Sequence, residues 1–150
     1  MILAVIATQK AWRMVLPDVK KQVLPLPVGT DLAEHLNIEP IYFDFDQWYI
    51  RADAQESLSK VITYMKENPT VKVMVRSHTD SRQTAAYNQI LSLNRAKATV
   101  AYMVAEGIAE NRLGYEGLGE LELTNPCGDG QPCSKPQHQA NRRSEFIVME

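Results

Sequence analysis

The residues richest in chemistry stand close together, in SHTDSRQTAAYNQILSLNRA over positions 77–96. Val71, Val73 and Val75 alternate with Lys72, Met74 and Arg76, the pattern of a strand, and that strand runs straight into Ser77-His78-Thr79-Asp80. A long helix is predicted to follow. Asp80 therefore stands where a strand ends. Asn88 and Arg95, seven residues apart, share one face of the helix about two turns, roughly 10 Å, from each other. A strand end beside the start of the next helix makes a shallow cleft, here with one carboxylate and one guanidinium. Such a pair suits a zwitterion. The carboxylate accepts hydrogen bonds from an ammonium, and the guanidinium grips a carboxylate with two parallel bonds. The competing reading is an internal salt bridge between Asp80 and Arg95 with no ligand. His78 beside Asp80 also invites a general-base reading, but no Ser or Cys nucleophile in a suitable context accompanies it, so the expected role of His78 is structural.

The apolar pattern marks out the elements that must position these groups. Ile41 to Phe45 alternates as a half-buried strand, with Ile41, Phe43 and Phe45 on one side. Asp53 and Glu56 have the spacing of a capping box, and Leu58, Val61, Ile62 and Met65 form one apolar helical stripe that Asn68-Pro69 stops. The second helix is predicted over roughly Thr84 to Glu106, with Leu93, Ala96, Val100 and Met103 as its core stripe. Gly107 followed by Ile108 is a helix C-terminal signal. A short strand is expected near Leu113 to Gly119, a loop over 121–140 and a last strand at Phe146 to Met149. The order β-α-β-α-β-β implies an α/β (α+β) sandwich, a mixed sheet with helices packed on one face. Trp48 and Tyr49 read as a mixture of wall and core.

The chain of 150 residues fits one domain with a short appendage. Residues 1–25 read as the tail of a preceding module or strand, with Ile2 to Ala7 as an apolar run too short for a signal peptide. Residues 26–40, punctuated by Pro27, Gly29 and Pro40, read as a linker, and 41–150 as the domain. The formal net charge of −2 lacks the positive field that nonspecific nucleic-acid binding needs. Cys127 and Cys133 lie in NPCGDGQPCSKP, with five residues between them that include two glycines and a proline. That segment is flexible enough for a disulfide. Two free thiols, or a zinc site recruiting His138, are the alternatives, although five intervening residues exceed the usual zinc spacing. A disulfide would imply an oxidising compartment.

Taken in order, IYFDFD, the HTD triplet, YNQILSLNRA, the GI after the helix, GLGE (Gly117 to Glu120) and NRRSEF (Asn141 to Phe146) resemble the OmpA-like C-terminal domain. This is the peptidoglycan-binding module shared with the peptidoglycan-associated lipoprotein and flagellar stator proteins. The resemblance covers about two-thirds of the chain. It implies noncovalent binding of the diaminopimelate residue of the peptide stem, no catalysis and no cofactor or metal. It further implies that the domain anchors an outer-membrane protein or an envelope machine, such as a secretion complex, to the cell wall from the periplasm. By resemblance Asp80 and Arg95 are the ligand pair, Thr79, Asn88 and Leu91 line the same cleft, Arg142 approaches from the last strand and Asp46 takes the ligand's amine or backbone. The family often has Gly where Ser77 stands. Family variants with a cysteine pair in this loop favour the Cys127–Cys133 bridge. An OmpA-like fold that acts as a protein-interaction module without ligand is the alternative function.

Overall fold

Residues 26–150 are described by a computed structural model, and the apolar run at Ile2 to Ala7 lies outside them. The chain forms α1 (Leu32–His35), β1 (Ile41–Tyr42), α2 (Ala52–Glu67), β2 (Lys72–Ser77), α3 (Ala85–Ala105), a 3₁₀ turn (Glu110–Arg112), β3 (Leu113–Gly117), α4 (Lys135–Gln139) and β4 (Arg143–Met149). The four strands make one open mixed sheet in the order β1-β4-β2-β3. The last strand thus sits inside the sheet, antiparallel to both β1 and β2, while β2 and β3 run parallel. A parallel pair needs a crossover, and α3 supplies it.

The alternation of β2 sends Val73, Val75 and Ser77 inward, where they meet Phe146, Val148 and Ser144 of β4. Leu58, Val61, Ile62 and Met65 of α2 and Ala96, Val100 and Met103 of α3 close the core over that face. The mixed α/β architecture predicted from the pattern is the one observed. At the end of α3, Gly107 takes a φ of +105°, the left-handed conformation that glycine adopts without strain. Gly117 answers a different need: a Cβ there would lie 2.5 Å from the backbone nitrogen of Leu93. β3 and α3 pack too closely for a side chain at that point.

Several local expectations are corrected. The segment 26–40, expected as a linker, is packed into the domain: Gly29 N–H donates to Val148 O at 2.9 Å, Val148 N–H to Thr30 O at 2.9 Å, and Leu32 is fully buried. Its prolines set turns without breaking contact with the sheet. Ladder pairing of β1 ends at Tyr42, because the chain turns away through Asp46, whose φ is +57°. The capping box at Asp53 does not form. Arg51 is the N-cap and Asp53 lies in the first turn, where it accepts from Arg51 and the Ala54 N–H. The buried face of α3 runs through Asn88, Leu91, Ser92, Arg95, Ala96, Thr99, Val100 and Met103, one position away from the predicted Leu93, which is half-buried. A polar residue on the inward face misled the apolar stripe. The 121–140 loop contains α4, opened by a Ser134/Gln137 capping box. Trp48 and Tyr49 are both exposed.

Cys127 and Cys133 form a disulfide six positions apart. Cys127 is fully buried and its carbonyl accepts from the Ser81 hydroxyl, so the bridged loop is moored next to Asp80. Closing so short a loop stabilises the folded state by about 2–3 kcal/mol in the chain-entropy description. The Cys127→Ser/Cys133→Ser variant is expected to remain folded, with a denaturation free energy lower by about that amount. Urea unfolding and hydrogen exchange across 124–136 check it; unchanged protection of that loop would contradict its dependence on the bridge.

Candidate functional site

Where β2 ends and α3 begins, Phe45, Asp46, Thr79, Asp80, Gln83, Asn88, Leu91, Arg95 and Arg142 surround a narrow, shallow cleft. All seven ligand-binding positions expected from the sequence line it. Asp80 is brought there by β2, which pairs on both sides and so fixes where its end emerges. Asn88, Leu91 and Arg95 come from the inward face of α3, whose N-terminus is set by the Thr84 hydroxyl accepting from Tyr87 N–H. Arg142 arrives from the residue before β4, and Asp46 from the left-handed turn after β1.

The internal salt bridge between Asp80 and Arg95, the competing reading of the pair, does not form. Asp80 pairs with two other guanidiniums: Arg82 at 2.9 Å and Arg142 at 3.1 Å, both on Oδ2. Its Oδ1 accepts from the Arg82 backbone N–H at 3.0 Å. Burial alone would raise the Asp80 carboxyl, but these Arg82 and Arg142 bonds outweigh it and hold the group below the usual aspartate range. The side chain is therefore a carboxylate at neutral pH.

Arg95 is fully buried. Nε donates to Gln47 O at 2.8 Å, Nη1 to His78 O at 3.0 Å and Nη2 to Asp44 O at 3.1 Å, and the guanidinium lies 5.2 Å from the centre of the Phe43 ring. Three of the five donors a guanidinium carries are thus spent on backbone carbonyls, which leaves two N–H groups without a hydrogen-bond partner among the described residues. Desolvation first, and Arg142 second, lower its pKa to about 10, against the opposing pull of Asp80 and Asp46, so it stays charged at neutral pH. An arginine that only held a ligand anion could be removed without cost to the fold; Arg95 also ties three backbone carbonyls.

Around this pair the cleft is polar and well tied. Asn88 donates to Asp80 O and Gln83 O, each at 3.2 Å. Asp46 accepts from Gln83 at 3.3 Å and from the Tyr87 hydroxyl. The Thr79 hydroxyl is buried and has no hydrogen-bond partner among the described residues. His78 is fully buried under the cleft floor, its Nε2 3.4 Å from Oε1 of Glu145, an ion-pair distance too long for a good hydrogen bond. It faces away from the cleft toward β4. Ser77, at the position where glycine was noted as frequent, fits as an ordinary strand residue whose hydroxyl meets that of Ser144. Among the described residues no group of His, Cys, Asp and Glu is arranged to hold a metal ion.

Two participants were not anticipated from the sequence. Arg82 covers Asp80 and stacks over the Phe45 ring, 4.1 Å from its centre. A signal for it existed: an aspartate that accepts from the N–H two residues on sets that residue's side chain beside its own carboxylate. Gln83 reaches Asp46 across 37 positions, and nothing local announces that contact.

Comparison with known proteins identifies the group. Residues 42–137 match the model of the OmpA family. The chain belongs to that family. It is 38% identical over 108 residues to the peptidoglycan-associated lipoprotein of Brucella melitensis, covering 72% of this chain and 61% of the relative. Over 125 residues it is 35% identical to the photosystem I P700 chlorophyll a apoprotein A2 of Gloeobacter violaceus, covering 83% of this chain and 14% of that much longer one. The chain thus spans under two-thirds of either relative's length. The crystal structure of the peptidoglycan-associated lipoprotein from Burkholderia pseudomallei superposes with a TM-score of 0.69 at 24% identity, covering 76% of this chain and 92% of that one. That agreement is one of fold.

Two outcomes follow from the geometry. Arg95→Ala strands three carbonyls that lost their donor, and at about 1–3 kcal/mol for each unsatisfied buried group it should destabilise the domain by about 3 kcal/mol or more. Thermal unfolding should show this as a drop in Tm on the order of 10 °C; an unchanged Tm would contradict the carbonyl-clamp role. Glu145 supplies a pH signature. Burial would raise its pKa, but the His78 contact and the Arg143 charge bring it from 4.5 down to about 2. Because the folded value is the lower one, its stabilisation is complete above pH 4.5 and is lost as pH falls toward 2. The size is on the order of 2–3 kcal/mol. Glu145→Gln should flatten the stability profile across that window, as measured by urea titrations at stepped pH.

Proposed function

We propose that this domain binds peptidoglycan noncovalently through the diaminopimelate residue of the stem peptide, and so anchors an envelope protein or machine to the cell wall. The observation that carries this reading is the presence, in one cleft, of the buried Asp80 carboxylate and of an Arg95 guanidinium with two N–H groups left over. The free end of diaminopimelate carries an ammonium beside a carboxylate. Asp80 accepts from the first and Arg95 donates to the second. The unpartnered Thr79 hydroxyl and the Asp46 carboxylate supply further polar contacts for the ligand's amine or backbone. Asn88, Leu91 and Arg142 shape the walls. Membership of the OmpA family, and likeness to a lipoprotein whose name states its association with peptidoglycan, support the same reading. They also support a place in the cell envelope, on the periplasmic side of the outer membrane.

The His78 imidazole is buried toward Glu145, which supports a structural place for it. The function is one of holding. Affinity at one site need not be high, because a polymer presented close to a tethered protein raises the effective concentration.

The test uses purified sacculi and two stem peptides that differ at one carboxylate. Diaminopimelate-type peptide should bind more tightly than lysine-type peptide by roughly 10- to 150-fold, corresponding to one charge-assisted contact of about 1.5–3 kcal/mol. Asp80→Asn, which keeps the side chain's shape, should cosediment with sacculi at least tenfold less while remaining folded by circular dichroism. Undiminished cosedimentation by that variant would refute the site and would favour a protein-interaction role for the fold.

A further inference from the structure

Asp80 already faces two cations within the cleft. Oδ2 of Asp80 accepts from Arg82 at 2.9 Å and from Arg142 at 3.1 Å, and Oδ1 accepts from the Arg82 N–H at 3.0 Å. Three of about four lone-pair sites on the carboxylate are therefore occupied before any ligand arrives. An incoming ammonium has three N–H groups to satisfy and meets a carboxylate already shared. One of the two arginines must give way.

Arg142 is fastened. Its side chain is 9% exposed, Nε donates to Phe43 O at 2.9 Å and Nη2 to Gln139 Oε1 at 2.8 Å. Arg82 is held differently. Its side chain is 34% exposed, and among the described residues its guanidinium makes no hydrogen bond except to Asp80. Its other contact is the half-exposed Phe45 ring, over which a planar cation can slide. Arg82 is the counter-ion that can leave.

Charge decides what the leaving costs. Asp46 and Asp80 line the cleft against Arg95 and Arg142, and Arg82 adds a further cation at its rim. A ligand bearing only an ammonium takes Asp80 and leaves the Arg82 guanidinium without an anion. Asp46 offers only its Oδ2, because Gln83 and Tyr87 both donate to Oδ1, and the zwitterion reading gives that remaining oxygen to the ligand's amine or backbone. A ligand that carries a carboxylate beside its ammonium brings the missing anion with it. We propose that Arg82 is a displaceable internal counter-ion, which pairs with Asp80 before a ligand binds, passes to the ligand's carboxylate on binding, and so selects against ligands that carry an ammonium alone. The proposal rests on the zwitterion reading of the cleft and adds to it a second determinant of selectivity beside Arg95.

Calorimetric titration of the wild-type protein, Arg82→Gln and Arg82→Lys with the two stem peptides tests it. Arg82 lies on the surface side of the cleft, so both variants should keep the wild-type Tm within a few degrees. In Arg82→Gln the lysine-type peptide should bind about three- to tenfold more tightly than to wild type, and the diaminopimelate-type peptide more weakly. The ratio of the two affinities should fall at least fivefold. Arg82→Lys, which keeps the charge without the planar stack, should fall between. If wild type discriminates between the peptides and Arg82→Gln preserves that ratio, the exchange is overturned while the zwitterion site stands. If neither peptide binds the folded wild-type protein, the zwitterion site itself is overturned and the exchange with it.

Discussion

Arg95 lies fully buried and donates to carbonyl oxygens of Asp44, Gln47 and His78. Those three carbonyls belong to two stretches of chain that share no ladder: the turn after β1 and the residues that leave β2. One guanidinium thereby holds the cleft's two walls at fixed separation. A buried cation is costly to desolvate, and it persists because each of those carbonyls would otherwise need a donor of its own. The arrangement also explains the left-handed turn at Asp46. A chain that must present Asp44 O and Gln47 O to one planar donor has little choice of path between them.

Electrostatic balance follows from the same placement. With Arg95 committed to the backbone, Asp80 needs other cations, and it takes Arg142 from the start of β4 and Arg82 from its own turn. The two differ in how much else holds them. Arg142 is anchored on three sides and behaves as part of the frame, whereas Arg82 rests on an aromatic ring at the rim. The walls of the cleft are thus tied more firmly than its rim.

The bridged loop belongs to this frame as well. Cys127 is buried against the segment after β2, and its carbonyl accepts from Ser81, the residue next to Asp80. Beside it Glu120 reaches Asn88 at 3.3 Å, and burial together with the neighbouring Asp129 raises its carboxyl above the ordinary range. The loop that looked peripheral in the chain therefore supports the cleft from behind, and the disulfide limits how far that support can move.

Much of this was legible in the residues themselves. Alternation fixed β2 and the face it buries, a turn of apolar repeats fixed α2, and Gly107 with Ile108 marked the end of α3. The seven positions expected around the ligand do meet in one cleft, because the strand end and the helix face that carry most of them are local features with short-range periodicity. What only the tertiary structure decided is which charges pair. β4 inserts between β1 and β2, and this brings Arg142 to Asp80 across 62 positions, a contact that no local pattern encodes. That insertion also closes the core over Arg95, so its side chain turns to backbone carbonyls instead of to the aspartate fifteen residues before it. Periodicity determines which face of an element is buried; the order of strands in the sheet determines what that face meets.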